Sequence, residues 1–226
     1  LLHATPFPDM FQTLFGESLK ANEQQISLDD LASALQQSKS IDDLQAVEKH
    51  FVSHALKSTL SNVTVKGLSK NERTSSDYLF ISNHRDIVLD PLLVNWGVME
   101  SGLSSCHCAI GDNLLVTPAG KLIAQLNKCF AVLRSIKSPK AMVAAMRTQS
   151  SYIRHLRFNQ QTNIWIAQKE GRSKDNSDRT NPALIKMLGL ARPKELSLAD
   201  YIKSLKLAPV SISYEWDPCD IQKANE

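Results

Sequence analysis

Tyr78-Leu79-Phe80-Ile81-Ser82-Asn83-His84-Arg85-Asp86-Ile87-Val88-Leu89-Asp90-Pro91 decides the reading of this chain. Four apolar or aromatic residues, Tyr78 to Ile81, run straight into Ser-Asn-His. That is the pattern of a buried strand ending at its carboxyl edge. Asp90 fits the N-cap of a following helix, and Pro91 fits its first position, where a missing N–H costs nothing. In open α/β sheets, ligand chemistry gathers beyond the carboxyl ends of the strands. A histidine placed there, with a carboxylate to orient it, is the minimal general-base pair for activating a hydroxyl. The plain alternative is a surface loop with one histidine and two incidental acids, Asp86 and Asp90.

Outward from this stretch, short β-rich runs alternate with longer amphipathic ones from about Asn62 onward. Strands are expected at Val63–Val65, Tyr78–Ile81, Cys106–Ile110, Cys129–Leu133, Ile164–Ala167 and Val210–Tyr214. Helices are expected at Pro91–Met99, Pro118–Asn127, Lys140–Arg157, Pro182–Leu188 and Leu198–Ser204. The alternation implies an α/β fold, a mainly parallel sheet flanked by helices. Residues 1–61 read instead as an N-terminal helical segment, with residues 62–226 as the α/β domain. Ser27-Leu28-Asp29-Asp30 and Ser40-Ile41-Asp42-Asp43 both look like helix starts with an acid at the third position. After the second, Ile41, Leu44, Val47, Phe51 and Ala55 recur at helical spacing, which suits a buried face and no chemistry.

At 226 residues the chain is long enough for one sizeable core. It opens on Leu1 and closes without an evident terminating signal, so both ends, the C-terminus above all, are read as trimmed. No apolar run approaches the ~20 residues needed to span a bilayer. A net charge of +3 is too mild to imply nucleic-acid binding. Lys and Arg concentrate between Lys137 and Arg192, which suits phosphates or an anionic membrane surface. Cys106-His107-Cys108 lacks a second ligand pair, so a buried strand is preferred there and no metal site is expected. Scattered reduced cysteines fit a cytosolic compartment.

Three further segments end expected strands with polar groups. Phe130-Ala131-Val132-Leu133-Arg134-Ser135 places an Arg just past a buried run, where it can offer a fork of donors to phosphate or carboxylate. Ile164-Trp165-Ile166-Ala167 empties into Gln168-Lys169-Glu170-Gly171-Arg172-Ser173, a dense charge cluster around one glycine that suits ligand contact. Ala208-Pro209-Val210-Ser211-Ile212-Ser213-Tyr214 reads as a strand whose Pro suits its start.

Taken in order, these four segments resemble the glycerolipid acyltransferase family, typified by 1-acylglycerol-3-phosphate acyltransferases. The family's first block is Asn-His, four residues and an Asp. Here Asn83-His84 precedes Asp90 by five residues. The second block carries an Arg after an apolar run, matched by Arg134. The third, usually Phe-Pro-Glu-Gly-Thr-Arg-Ser, is matched by Glu170-Gly171-Arg172-Ser173, without the Thr and the Phe-Pro pair. The fourth is an apolar segment containing Pro, matched by Pro209-Val210. These departures place the chain in a divergent branch and leave Asp86 and Asp90 as rival partners for His84. Asp90 is preferred because Asp90-Pro91 opens a helix.

The resemblance implies acyl transfer from an acyl thioester, acyl-CoA or acyl carrier protein, to a hydroxyl of a glycerol-phosphate or lysophospholipid-type acceptor. Neutral His84 would act as general base. Asn83, Arg85, Arg134, Glu170, Gly171, Arg172 and Ser173 are the expected substrate contacts. No cofactor or metal is required. A non-catalytic lipid-binding protein, or a hydrolase using the same His and Asp, is the alternative. A peripheral location at the cytoplasmic face of a membrane is expected. Met142, Met146, Ile153 and Leu156 share a face of Pro139–Phe158 that is expected to enter the core. Lys140, Arg147, Arg154 and Arg157 lie elsewhere on it and are expected to draw the protein to anionic headgroups.

Overall fold

The computed structural model describes residues 33–34, 36–69, 75–168, 178–216 and 220–225. Among them, five parallel strands form one sheet in the order β3-β2-β4-β1-β5. The strands are β1 (Leu79–Ser82), β2 (Cys106–Gly111), β3 (Phe130–Val132), β4 (Asn163–Ala167) and β5 (Leu207–Val210). All four residues of β1 are buried, as a strand covered on both faces requires. Ser82 pairs with Ala167 of β4 and with Val210 of β5, so these three strands end level at the carboxyl edge.

The helices are α1 (Ile41–Thr59), α2 (Leu89–Glu100), α3 (Pro118–Leu126), α4 (Pro139–Phe158), α5 (Pro182–Leu188), α6 (Leu198–Ser204) and α7 (Asp220–Ala224). Their starts are written in the sequence. Ser40 and Asp43 form a reciprocal capping box for α1. Thr117, Ser138 and Asn181 each cap a helix by side chain, with Pro at its first position.

The sheet separates two cores. On one face Leu79, Ile81, Ile164 and Ile166 pack with Ile153 and Leu156 of α4, Leu188 of α5 and Tyr201 of α6. On the other, Phe80, Trp165, Cys106 and Cys108 pack with Val94 and Val98 of α2. Strand alternation puts His107 on the face opposite the two cysteines, so the three cannot converge on one ion. Helix α1 docks outside α2 and α3. Trp96 Nε1 donates to Ser53 Oγ at 2.8 Å, Gln45 donates to the Leu126 carbonyl at 3.3 Å, and Lys49 pairs with Glu100 at 3.0 Å.

Burial raises the carboxyl of Glu48, on α1, from its ordinary 4.5 to about 7. Between those values the folded chain holds a proton that the unfolded chain has lost, so stability falls as pH rises through that window. Glu48→Gln is expected to remove this slope and to stabilise the protein above pH 7 by about 1–3 kcal/mol. Urea denaturation of both proteins across that range checks it.

Three expectations change in the fold. Val63–Val65 pairs with no strand; Val65 packs instead on Gly97 of α2, where a Cβ would lie only 3.2 Å from its side chain. The last strand ends at Val210 rather than beginning there, because its neighbour β1 ends at Ser82. Arg157 is 3% exposed and hydrogen-bonded within the protein, so it offers no charge to a membrane. The helix start at Ser27 lies outside the described residues.

Candidate active site

The loop from β1 to α2 builds the site. Its centre is the fully buried Asp90 carboxylate. One oxygen, Oδ2, accepts from His84 Nδ1 at 2.9 Å, from the Arg85 N–H at 2.6 Å and from the Asp86 N–H at 2.9 Å. The other, Oδ1, accepts from the Tyr214 hydroxyl at 2.8 Å. With the Arg85 and Asp86 N–H groups donating to Oδ2, that oxygen acts as an acceptor, so a neutral His84 ring would carry its proton on Nδ1 and leave a lone pair on Nε2.

Asp90 does not cap the helix, as its position before Pro91 led one to expect. Helix α2 begins at Leu89, and Val88 at its N-cap makes no side-chain bond. Asp86 Oδ1 takes over the capping work, accepting from Val88 N–H at 2.8 Å and Leu89 N–H at 2.7 Å. The residue added to the His-to-Asp spacing thus lies within a turn that Asp86 closes. These two geometries predict different mutants. If His84 is the general base, Asp90→Asn is expected to lower turnover by roughly 10²–10⁴-fold, because the imidazolium would lose its countercharge. Asp86→Asn keeps a capping oxygen and is expected to be mild. Steady-state turnover of the two folded variants distinguishes the roles, and equal losses would put both carboxylates in the chemistry.

Neighbouring groups hold the loop. The Asn83 side chain donates to the Ile212 carbonyl at 2.7 Å and accepts from the Ile212 N–H at 2.8 Å. It stands in for a strand backbone just where β1 has ended, so its amide positions the loop. Trp165 Nε1 donates to Ser82 Oγ at 2.9 Å, and the His84 ring meets the Trp165 ring edge-on at 6.4 Å. Arg85 reaches Asp178 at 2.6 Å. Gln168, just past β4, donates to the Asp178 carbonyl at 2.8 Å and accepts from the Thr180 hydroxyl at 2.9 Å. Gln168 belongs to the polar cluster after β4 that the sequence marks for ligand contact, whereas Tyr214 escaped the sequence reading as a site group because it reads as the end of an expected strand.

Arg134 follows β3 at the same edge. Gly111 gives its guanidinium room, since a Cβ there would stand 2.9 Å from Nε. The Arg134 backbone N–H donates to Asp112 Oδ1 at 3.2 Å, and the Ser135 hydroxyl donates to Oδ2 at 3.0 Å. Beside it lies a cleft of about 500 Å³ between α4, α5 and the sheet. Phe130, Met142, Met146, Tyr152, Ile166 and Met187 line it, with Arg134, Gln168 and Asn181 at the carboxyl edge. Glu170, Gly171, Arg172 and Ser173 lie outside the described residues.

The His–Asp pair beyond β1 stands at the carboxyl edge of the parallel sheet, where open α/β sheets bind their ligands. A family model described as Acyltransferase matches residues 62–194, more than half of the chain. The chain belongs to this family, the glycerolipid acyltransferases. No curated protein matches it.

Proposed function

We propose that this protein moves a fatty acyl group from acyl-CoA or acyl carrier protein to a hydroxyl of a glycerol-phosphate or lysophospholipid-type acceptor. One observation carries the reading: His84 Nδ1 lies 2.9 Å from the buried Asp90 carboxylate at the carboxyl edge, a contact that would fix the tautomer and leave Nε2 as the base. A hydroxyl is a poor nucleophile near neutral pH, so Nε2 takes its proton as the oxygen attacks the thioester carbonyl. The C–O bond forms and the carbonyl oxygen becomes an oxyanion. Its collapse breaks the C–S bond, and the departing thiolate recovers the proton from the imidazolium. Asp90 stabilises that imidazolium throughout. No enzyme nucleophile is needed.

Arg134 would hold the acceptor's anionic group, together with Arg172, while Glu170 orients an Arg or an acceptor hydroxyl and Gly171 and Ser173 approach the ligand. Arg85, paired to Asp178, would contribute charge beside the base. The cleft has the apolar lining an acyl chain needs, and its size falls within the ~300–1,000 Å³ usual for small-molecule sites. Among the described residues no helix is long and apolar enough to cross a membrane. We place the protein peripherally at the cytoplasmic face, where an anionic lipid surface would present the acceptor.

A thiol-release assay tests the reading, with acyl-CoA and acyl carrier protein as donors against a panel of lysolipids and polar acceptors. Acceptor-dependent release that disappears in His84→Ala supports it. Release to water without an acceptor would mark a hydrolase. Lipid binding without release from any donor would mark a binding protein.

A further inference from the structure

Among the described residues three cysteines, Cys106, Cys108 and Cys129, carry free thiols that the proposed chemistry does not use. Cys106 and Cys108 of β2 lie on the sheet face that packs on α2, and Cys129, the residue before β3, packs against the same cluster. The strand register decides which two can meet. Ala109 pairs with Phe130 in the parallel ladder of β2 and β3. One step back toward the strand starts, Cys108 therefore stands beside Cys129. Cys106 pairs on the other flank of β2, with Asn163 of β4. Side-chain alternation turns Ala109 and Phe130 to the opposite face and keeps Cys108 and Cys129 on one. Neighbouring strands run about 4.8 Å apart. A disulfide needs Cα atoms roughly 4.4–6.8 Å apart and side chains that point the same way. This pair meets both conditions.

The two sulfurs differ in what can reach them. Cys108 is 2% exposed, whereas Cys129 is only partly covered, at the start of the edge strand. A hydrogen bond from the Cys108 thiol brings the Cys129 thiol below its ordinary value, against burial and the nearby Glu48 carboxyl of α1. The same bond, together with burial, pushes the Cys108 thiol up, and Asn95 Nδ2 donates to its sulfur at 3.4 Å. Burial pushes the Cys106 thiol up as well, against the Lys128 ammonium. A partly exposed sulfur that favours the thiolate, backed by a buried thiol beside it, is the arrangement of an attacking and a resolving cysteine.

We propose that Cys129 and Cys108 form a reversible thiol–disulfide site, oxidised by hydroperoxides and reduced by dithiols, which staples the edge strand β3 to β2. The Cys129 thiolate attacks the terminal oxygen of the hydroperoxide. The O–O bond breaks, and the departing hydroxide or alkoxide takes up the proton that the thiol gave. Cys129 is then a sulfenic acid. The Cys108 sulfur attacks it, the S–S bond forms, the S–O bond breaks, and the hydroxide leaves as water with the Cys108 proton. The two thiols have given two electrons to the hydroperoxide. A dithiol reverses the step by exchange and becomes a disulfide itself. Strand β3 pairs with β2 alone, so the bridge closes the crossover through α3 into a covalent loop. The site stands apart from the acyl-transfer reading and does not depend on it.

The test uses the full chain with Cys219→Ser, a position outside the described residues, so that three thiols remain. Reduced protein is treated with hydrogen peroxide, alkylated under denaturing conditions and weighed whole. The expected product is a monomer with a single alkylated thiol, and dithiothreitol restores all three. No Lys or Arg lies between Arg85 and Lys121, so Cys106 and Cys108 share a tryptic peptide and variants assign the bridge. Cys106→Ala should keep it, and there a linked pair of peptides 86–121 and 129–134 identifies both sulfurs. That result stands even where another variant fails to fold. Cys108→Ser should abolish the bridge and leave Cys129 as a sulfenic acid that dimedone traps. Cys129→Ser should abolish both the bridge and the dimedone adduct. Three alkylated thiols after excess peroxide would overturn the proposal. So would a bridge that requires Cys106, one that survives loss of Cys108 or Cys129, or one that only links separate chains.

Discussion

Replacing His84 by Ala is expected to lower acceptor-dependent turnover by at least ~10²–10⁴-fold, with the fold retained. The magnitude follows from what is removed. On the proposed reading His84 Nε2 would carry the lone pair that Asp90 orients, and the attacking hydroxyl needs a proton acceptor as its bond to carbon forms. Water can accept that proton, but it is neither positioned nor basic enough. The fold should persist because His84 sits in a loop whose anchor, Asp90, still accepts from Arg85, Asp86 and Tyr214. Steady-state thiol release beside a thermal melt decides the matter. Near-normal turnover by a folded His84→Ala protein would remove His84 from the chemistry.

The second large effect concerns stability at the opposite edge of the sheet. The Arg157 guanidinium, at the end of α4, donates to Asp77 Oδ2 at 2.5 Å, to the Leu205 carbonyl at 2.9 Å and to the Thr162 carbonyl at 3.0 Å. Those three partners precede β1, β5 and β4, so one side chain ties three strand entries together. Burial pushes the Asp77 carboxyl up, yet hydrogen bonds from Lys206 and Arg157 bring it below its ordinary value. Arg157→Met leaves that carboxylate buried with Lys206 as its remaining cation, and it removes the Arg donor from the carbonyls of Leu205, Thr162 and Asp77. The expected loss is about 3–5 kcal/mol, a large part of the ~5–15 kcal/mol that holds a domain together. Urea denaturation measures it, and a loss below about 1 kcal/mol would mean the network behaves like a surface pair. Turnover per folded molecule should be unchanged, because His84 lies at the other end of the strands.

The sequence carried this architecture wherever a local signal has a local cause. The runs at Leu79–Ser82 and Asn163–Ala167 are apolar because both faces of a central parallel strand are covered. The starts at Ser138-Pro139 and Asn181-Pro182 are legible because caps act within one turn. His84 and Asp90 were legible as a pair because both stand beside the end of one strand. What stayed hidden depends on distant partners. Asp90 has the local look of a cap, and only the folded loop shows Asp86 in that work. Arg157 has the look of a solvated charge, and only the packing of three strand entries buries it. Tyr214 carries no mark of its own until β5 brings it beside Asp90.

The tie between Asn83 and Ile212 joins residues 129 positions apart, and Tyr214 reaches back 124 positions to Asp90. A ribosome delivers the histidine long before it delivers either anchor. While the nascent chain grows, β1 lacks its outer neighbour and the Asp90 carboxylate lacks its hydroxyl donor. On the proposed reading the base is therefore completed by residues just past β5, through contacts of high sequence separation that form late. A chain interrupted before Leu207 would hold His84, Asp86 and Asp90 and still lack the means to keep the imidazole in register. On that reading, competence to react would wait for translation past β5, through Tyr214.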